Sequence, residues 1–397
     1  MRPTLHEYTR LLSPARGWKR LFLAVGASLL AACTTAPPSL SQLEPIQLTG
    51  TLMTVDEAVS SAVTPDLLAL DDDMREFVAT YAGDDMGRRQ RLRSLHRAVS
   101  GPAILGMEYD PAAEGTAIEV FHRETANCLS YANMFVALAR EAGLDANYQW
   151  VEVRPQWTRM GERIAVRMHV NVVVKINRDE RYMVDIDPLP SRDFAGSQEM
   201  TDQDAAALYH NNIAMDALYR DELEMAWAEA VRALQLAPKM PQLWVNIGAV
   251  YRRAGQYDAA EAAYLQALEL DSTERSAMNN LLVLHQITGD TDKRAHWEKR
   301  VDLYRDRNPY YHAWLGDMAA EEGDWRQASD HYQYAVGLQP EDANLLFGLG
   351  LIYEKLSEPK AAMRYVQLAL DKSSIMRERE LYRVKLDELN RAQMAVY

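Results

Sequence analysis

A repeating period constrains this 397-residue chain more than any other feature. With frames opened at residues 207, 241, 275, 309 and 343, equivalent columns carry equivalent chemistry. The eighth column holds Ala214, Gly248, Leu282, Gly316 and Gly350; the twentieth holds Ala226, Ala260, Arg294, Ala328 and Ala362. The twenty-seventh holds Ala233, Ala267, Val301, Ala335 and Ala369, and the eleventh Ala217, Tyr251, His285, Ala319 and Tyr353. Small residues at fixed intervals are what two helices need where their backbones approach closely. The closing column (Pro238, Ser272, Asp306, Pro340, Ser374) uses Pro twice to stop a helix. The third frame, 275–308, has lost its small residues in the twentieth and twenty-seventh columns and holds Leu282 in the eighth, but keeps Gly289 at its turn. Five frames with one spacing exclude a chance bundle. A single helix–turn–helix unit cannot bury its own apolar face, so the units must stack into a solenoid.

This column pattern resembles the tetratricopeptide repeat over about 170 residues, giving five units across 204–375. The amphipathic stretch 376–397 then reads as the polar-faced helix that caps the stack. The resemblance implies an all-α superhelix whose concave face takes a peptide or a protein partner. Trp244, Tyr251, Tyr264, Trp325 and Tyr332 stand at helical spacing and read mostly as packing residues.

The chain has two cysteines, Cys33 and Cys128, too few for a disulfide framework or a Cys-rich zinc site. Each must be placed separately. Ahead of the first come Arg2, Arg10, Arg16, Lys19 and Arg20, then an uncharged run from Leu21 to Ala32. A basic stretch followed by a short apolar run is the layout of an export signal, and the run falls short of the roughly 20 residues a spanning helix needs. Leu30-Ala-Ala-Cys33 resembles the lipobox of bacterial lipoproteins. That resemblance implies removal of residues 1–32, acylation of Cys33, and membrane contact through the lipid on Cys33. Thr34, standing where an aspartate would mark inner-membrane retention, implies an outer-membrane anchor facing the periplasm of a bacterial cell envelope. Residues 33–54, with Pro37, Pro38 and Pro45, read as lipid anchor and extended tether. Loss of the signal would leave the remainder four units more negative than the formal −14 of the full chain. So acidic a balance argues against nucleic acid as a partner.

Residues 55–200 have a different texture. Leu67, Leu70, Met74, Phe77 and Val78 predict a helix from Asp66 to about Ser100. Leu129, Met134, Phe135, Leu138 and Ala139 predict a second helix, closed by Gly143. Cys128 falls at its start, where unpaired N–H groups and the positive end of the helix dipole favour negative charge on sulfur. Ala146–Val153, Ile164–Ile176 and Arg181–Ile186 read as strands, the last two joined by a turn at 177–180. In an antiparallel hairpin with an odd-length loop, odd-numbered residues of both strands share a face. His169 would then meet Asp185 or Asp187, close enough for a carboxylate to hold the imidazole.

A helix-borne Cys, then a strand-borne His, then a strand-borne Asp, resembles the transglutaminase-like (papain-related) cysteine enzymes over roughly residues 60–190. The implied fold is an α+β domain with the nucleophile helix packed on an antiparallel sheet. The implied roles are Cys128 as nucleophile, His169 as general base and acid, and Asp185 as orienter. Tyr182-Met-Val-Asp185 favours Asp185, with Asp187 the runner-up. Asn171 departs from the family, which often has an aromatic two residues after the His. His122 is a competing base in the approach to Cys128, and Asp71-Asp-Asp73 reads as a solvated helix end. No metal spacing or phosphate loop is present in the sequence, so no metal or cofactor is expected. The chemistry implied is acyl transfer on amide bonds by a peptidase, amidase or transglutaminase. The contrasting reading is a non-catalytic envelope adaptor that only binds proteins through its repeats; a peptidoglycan amide is a further substrate class that the envelope address permits.

Overall fold

The computed structural model describes residues 40, 43–153, 169–178, 180–187, 194–373 and 376–394. The export signal, Cys33 and positions 164–168 of the long expected strand lie outside them.

The described chain opens with an antiparallel hairpin, β1 (Ile46–Leu48) and β2 (Thr51–Met53), turned by Gly50 at φ +85°. Helix α1 (Val55–Ser61) follows, started by a reciprocal capping box between Thr54 and Glu57. This corrects the tether expected over 33–54 for residues 43–54; apart from residue 40, its earlier part lies outside the described residues. From Leu43 onward the segment is docked, with Leu43, Ile46 and Ala58 buried in one apolar cluster with Trp227 and Tyr251 of the repeats. The Tyr251 hydroxyl donates to the Glu44 carbonyl, and Gln256 accepts from the Gln47 amide at 2.8 Å while donating to the Pro45 carbonyl at 3.1 Å. Burial of this apolar edge, with backbone groups satisfied by the repeats, outweighs the extended bias of Pro45.

The enzyme-like body follows with α2 (Asp72–Tyr81) and α3 (Arg88–Ser100). The single helix expected over 66–100 is therefore two. The break falls at Gly83-Asp-Asp-Met-Gly87, a helix-poor run. Arg91 folds back to donate to the carbonyls of Asp84 and Met86 and to that of Ala142, which satisfies acceptors of that turn. Strands β3 (Glu108–Tyr109) and β4 (Thr125–Ala126) pair in parallel on either side of α4 (Ala117–Arg123). Helix α5 (Cys128–Glu141) is the centre of this body: every residue from Leu129 to Ala139 is buried. Gly143 closes it at φ +69°. Against it lies an antiparallel sheet of β5 (Asp145–Val153), β6 (His169–Lys175), β7 (Arg181–Val184) and β8 (Phe194–Met200), ordered β7-β6-β5-β8. The edge strand β8 is additional to the three strands anticipated.

β8 passes into α6 (Asp202–Tyr219) with only Thr201 between, and Thr201 and Asp204 form the cap. Helix α6 pairs with α7 (Leu223–Leu236). The later pairs are α8 (Pro241–Arg253) with α9 (Tyr257–Leu270), α10 (Arg275–Thr288) with α11 (Thr291–Asp306), α12 (Pro309–Glu321) with α13 (Trp325–Leu338), and α14 (Ala343–Lys355) with α15 (Pro359–Lys372). The second helices begin at 223, 257, 291, 325 and 359, one period apart. The glycine column has a steric cause. A Cβ on Gly248 would stand 2.6 Å from the Tyr264 ring, one on Gly316 2.5 Å from Tyr332, and one on Gly350 2.7 Å from Val366. Trp244, Tyr251, Tyr264 and Tyr332 are buried, while Trp325 is half-buried with Lys355 over its ring. Helix α16 (Met376–Met394) ends the stack through Tyr382 and Leu389.

Helix α6 belongs to both bodies. Ala205 and Leu208 lie in the core built around α5, whereas Ala207, Ala214 and Ala217 lie in the core of the repeats.

Candidate active site

Cys128 is the first residue of α5. The Asn127 side chain accepts from the Ser130 amide at 2.8 Å, and the Ser130 hydroxyl accepts from the Asn127 amide at 3.0 Å. The Ser130 hydroxyl also donates to the Ala113 carbonyl at 2.6 Å, which pins this first turn to the preceding loop. The sulfur is fixed in place and partly open to solvent.

His169 opens β6 and brings its Nδ1 to 3.3 Å from the Cys128 Sγ. Its Nε2 lies 2.5 Å from Oδ2 of Asp185, the residue immediately after β7. The hairpin register explains the meeting. Val172 faces Val184 and Lys175 faces Arg181, so odd residues oppose odd ones across the loop 176–180. Carried onward, that register would set Asp187 opposite His169, yet the carboxylate that reaches the ring is the diagonal one, Asp185. The chain leaves the strand at Asp185, and Asp187 turns back to donate its backbone N–H to the Asp185 Oδ1 at 3.1 Å. Asp187 thus meets the cluster through its main chain. Only 6% of the His169 side chain and 10% of that of Asp185 remain exposed. Burial alone would lower the imidazole pKa; the hydrogen bonds to Asp185 and Cys128, with their negative charges, outweigh it and raise it to about 9. The ring therefore carries a proton at neutral pH and faces the sulfur with positive charge.

Other groups stand around this line. The Tyr109 hydroxyl, on β3, is 4.0 Å from the sulfur. Glu114 Oε2 accepts from Asn127 Nδ2 at 3.0 Å and from Asn212 Nδ2 of α6 at 2.7 Å. Burial pushes the Glu114 carboxyl above its usual range, against the pull of both amides. A cleft of about 480 Å³ opens over Cys128, lined by Tyr109 and Val170 on one side and by Leu208, Asn212 and Met215 of α6 on the other.

His122 lies on α4, where its Nε2 pairs with Asp71 at 2.6 Å. Asp71 is also the cap of α2, accepting from the Met74 amide. Asn171, the departure from the family pattern, lies two residues along β6, with its Nδ2 3.9 Å from the Met183 sulfur. Among the described residues, no three His, Cys, Asp or Glu side chains gather as a metal site, and no helix is long and apolar enough to cross a membrane.

The reciprocal cap of Asn127 and Ser130 uses Asn, a strong cap residue, at the helix start. Glu114, Asn212 and Tyr109 carried no local signal; their roles come from contacts between segments far apart in the chain.

A nucleophile held beside a base that is itself held by a carboxylate can carry acyl transfer. Comparison with known proteins agrees on the modules. A model of the transglutaminase-like superfamily matches residues 75–188, and tetratricopeptide repeat models match 241–274 and 307–374. The chain thus carries a transglutaminase-like domain followed by a tetratricopeptide superhelix. Curated relatives include the general transcriptional corepressor trfA of Dictyostelium discoideum, 26% identical over 115 residues, and the human protein O-mannosyl-transferase TMTC3, 26% identical over 139 residues. The matched stretches cover 28% and 34% of this chain but only 8% and 15% of those proteins. Among solved structures, YrrB, described as a TPR protein with an unusual peptide-binding site, is 19% identical with a TM-score of 0.24, over 43% of this chain and 89% of its own. MamA is 17% identical with a TM-score of 0.24, over 42% of this chain and 91% of its own.

Proposed function

We propose that this chain is a lipid-anchored, cell-envelope cysteine enzyme that acts on amide bonds, with Cys128, His169 and Asp185 as its catalytic groups. The observation that carries the proposal is the continuous line from Sγ through the imidazole to the carboxylate, 3.3 Å and 2.5 Å, opening into a cleft. In the first half-reaction the thiolate attacks the amide carbonyl and forms a C–S bond. His169 passes its proton to the nitrogen as the C–N bond breaks, leaving a thioester and a free amine. In the second half, His169 takes a proton from water or from an acceptor amine, which attacks the thioester and releases the sulfur. Asp185 keeps the ring oriented and stabilises its charge. The developing oxyanion would sit against the Cys128 N–H, in a turn whose amides lack partners within the helix, with the Tyr109 hydroxyl as second donor. Lys and Arg followed by a short apolar run and Leu30-Ala-Ala-Cys33 support export and acylation. The repeats would bind a protein partner or substrate.

Iodoacetamide labelling tests the catalytic reading. Cys128 should alkylate faster than a free thiol at pH 7, and His169→Ala should remove the advantage. Labelling at the free-thiol rate, unchanged by His169→Ala, would leave only the adaptor reading. Incorporation of labelled palmitate, lost in Cys33→Ala, tests the anchor.

A further inference from the structure

The cleft over Cys128 is not built by the enzyme-like body alone. Its far wall is α6, the first helix of the repeats, and three features hold that wall still. Glu114 clamps Asn127, the cap of the nucleophile helix, to Asn212 of α6 through a single carboxylate oxygen. Arg140 of α5 grips Asp202, the first residue of α6, with two bonds of 2.6 and 2.8 Å. Ala205 and Leu208 are buried in the core around α5. A wall held this closely to a nucleophile contacts whatever reaches that nucleophile.

The same helix face continues beyond the cleft. Asn212, Met215 and Tyr219 are spaced three and four residues apart, which keeps them on one side of α6, beyond the buried Leu208. At 1.5 Å per residue the stripe runs about 10 Å, the reach of roughly three residues of extended chain. Its composition is mostly apolar. Tyr219 is 89% exposed, so packing does not account for it, and an exposed tyrosine offers both an apolar ring and a polar tip to a partner. Within the cleft, Pro111, Ala112, Leu129 and Val170 add apolar surface opposite Met215.

We infer that α6 is the specificity wall of the catalytic cleft: an extended polypeptide substrate lies along Asn212, Met215 and Tyr219 and places apolar side chains there while its amide meets Cys128. The occupant is set by the nucleophile, because a thiol enzyme acting on amides must seat the chain that carries the amide. The inference rests on Cys128 being the nucleophile, and its test separates the two claims.

The full chain is treated with three reagents: iodoacetamide, iodoacetyl-Leu-Phe-amide and iodoacetyl-Gly-Gly-amide, and the Cys128 adduct is timed by mass. The Leu-Phe reagent should react about tenfold faster than the Gly-Gly reagent, a discrimination an apolar subsite commonly supplies. Tyr219→Ala and Met215→Ala should each cut that advantage about threefold, read as the ratio of the two dipeptide rates within the same variant. Tyr219 is 89% exposed, so its replacement removes little packing. Equal rates for the two dipeptide reagents, or an advantage untouched by both variants, would overturn the wall while leaving the nucleophile standing. Iodoacetamide labelling at the free-thiol rate would overturn both.

Discussion

Replacing Asp185 with Asn tests the site at its least conspicuous member. In the native site burial works against a charged His169, and the carboxylate on Nε2, together with the sulfur on Nδ1, reverses that effect and sets the pKa to about 9. At pH 7.5 such a ring is about 97% protonated. Asparagine keeps the shape but removes the charge and the acceptor best placed for the imidazolium. With that support gone, the pKa falls toward the ordinary value near 6.5 or below it, and the protonated share at pH 7.5 drops to about 9% or less. If the imidazolium maintains the thiolate, alkylation of Cys128 by iodoacetamide at that pH should slow about tenfold. The variant's pH profile should also gain a rise toward alkaline values, because the thiol must then ionise unaided, where the native profile is already flat. Asp187→Asn is the matched control. Asp187 contributes its backbone N–H to Asp185 and that donor survives the substitution, so labelling should stay within about twofold of the native rate. A profile for Asp185→Asn that superimposes on the native one from pH 5 to 10 would refute the reasoning. A loss confined to Asp187→Asn would move the orienting role to the runner-up.

The raised pKa of His169 also makes a stability statement. Its folded value of about 9 lies above the unfolded value near 6.5, so its contribution is complete below about pH 6.5 and disappears as pH climbs through 9. The gap in melting temperature between the native chain and His169→Ala should therefore narrow from pH 6 to pH 10. In the repeats, Gly316→Ala would drive a methyl to 2.5 Å from the Tyr332 ring and should destabilise by about 1–3 kcal/mol in denaturant titration. Gly337→Ala, in α13 with nothing within 4 Å, should be neutral or stabilising by under about 1 kcal/mol. Ile46→Ala should destabilise by about 2–5 kcal/mol because Ile46 is fully buried against the repeats, whereas Leu52→Ala, 57% exposed, should barely register in thermal melts.

What the sequence disclosed and what it withheld divide along a physical line. The repeat register was legible because helix pairing imposes the same demand for a small residue every 34 positions, met by glycine beneath Tyr264 and Tyr332. The helix that Cys128 begins and the His169–Asp185 hairpin were legible because period-3.6 and period-2 patterns assign faces, and loop parity does the rest. Contacts across long separations left no pattern. The hairpin 46–53 has too few residues to show alternation, and its burial depends on Tyr251 and Gln256 some two hundred positions away. Glu114 looks like any surface acid until Asn212, 98 residues later, is seen to donate to it. The choice between Asp185 and Asp187 turned on a local bend after β7, which parity alone does not determine.

The double membership of α6 bears on descent and on borrowing. A gene cut at residue 200 would take from the enzyme-like body two of its own buried residues, Ala205 and Leu208, and would hand the repeats a first helix with a bare apolar flank. Neither half is therefore a free cassette. If this arrangement arose by joining two older modules, the seam has since been absorbed into both. Among relatives of this architecture, changes at positions 205 and 208 should keep pace with the interior of the transglutaminase-like domain, while those at 214 and 217 follow the repeats.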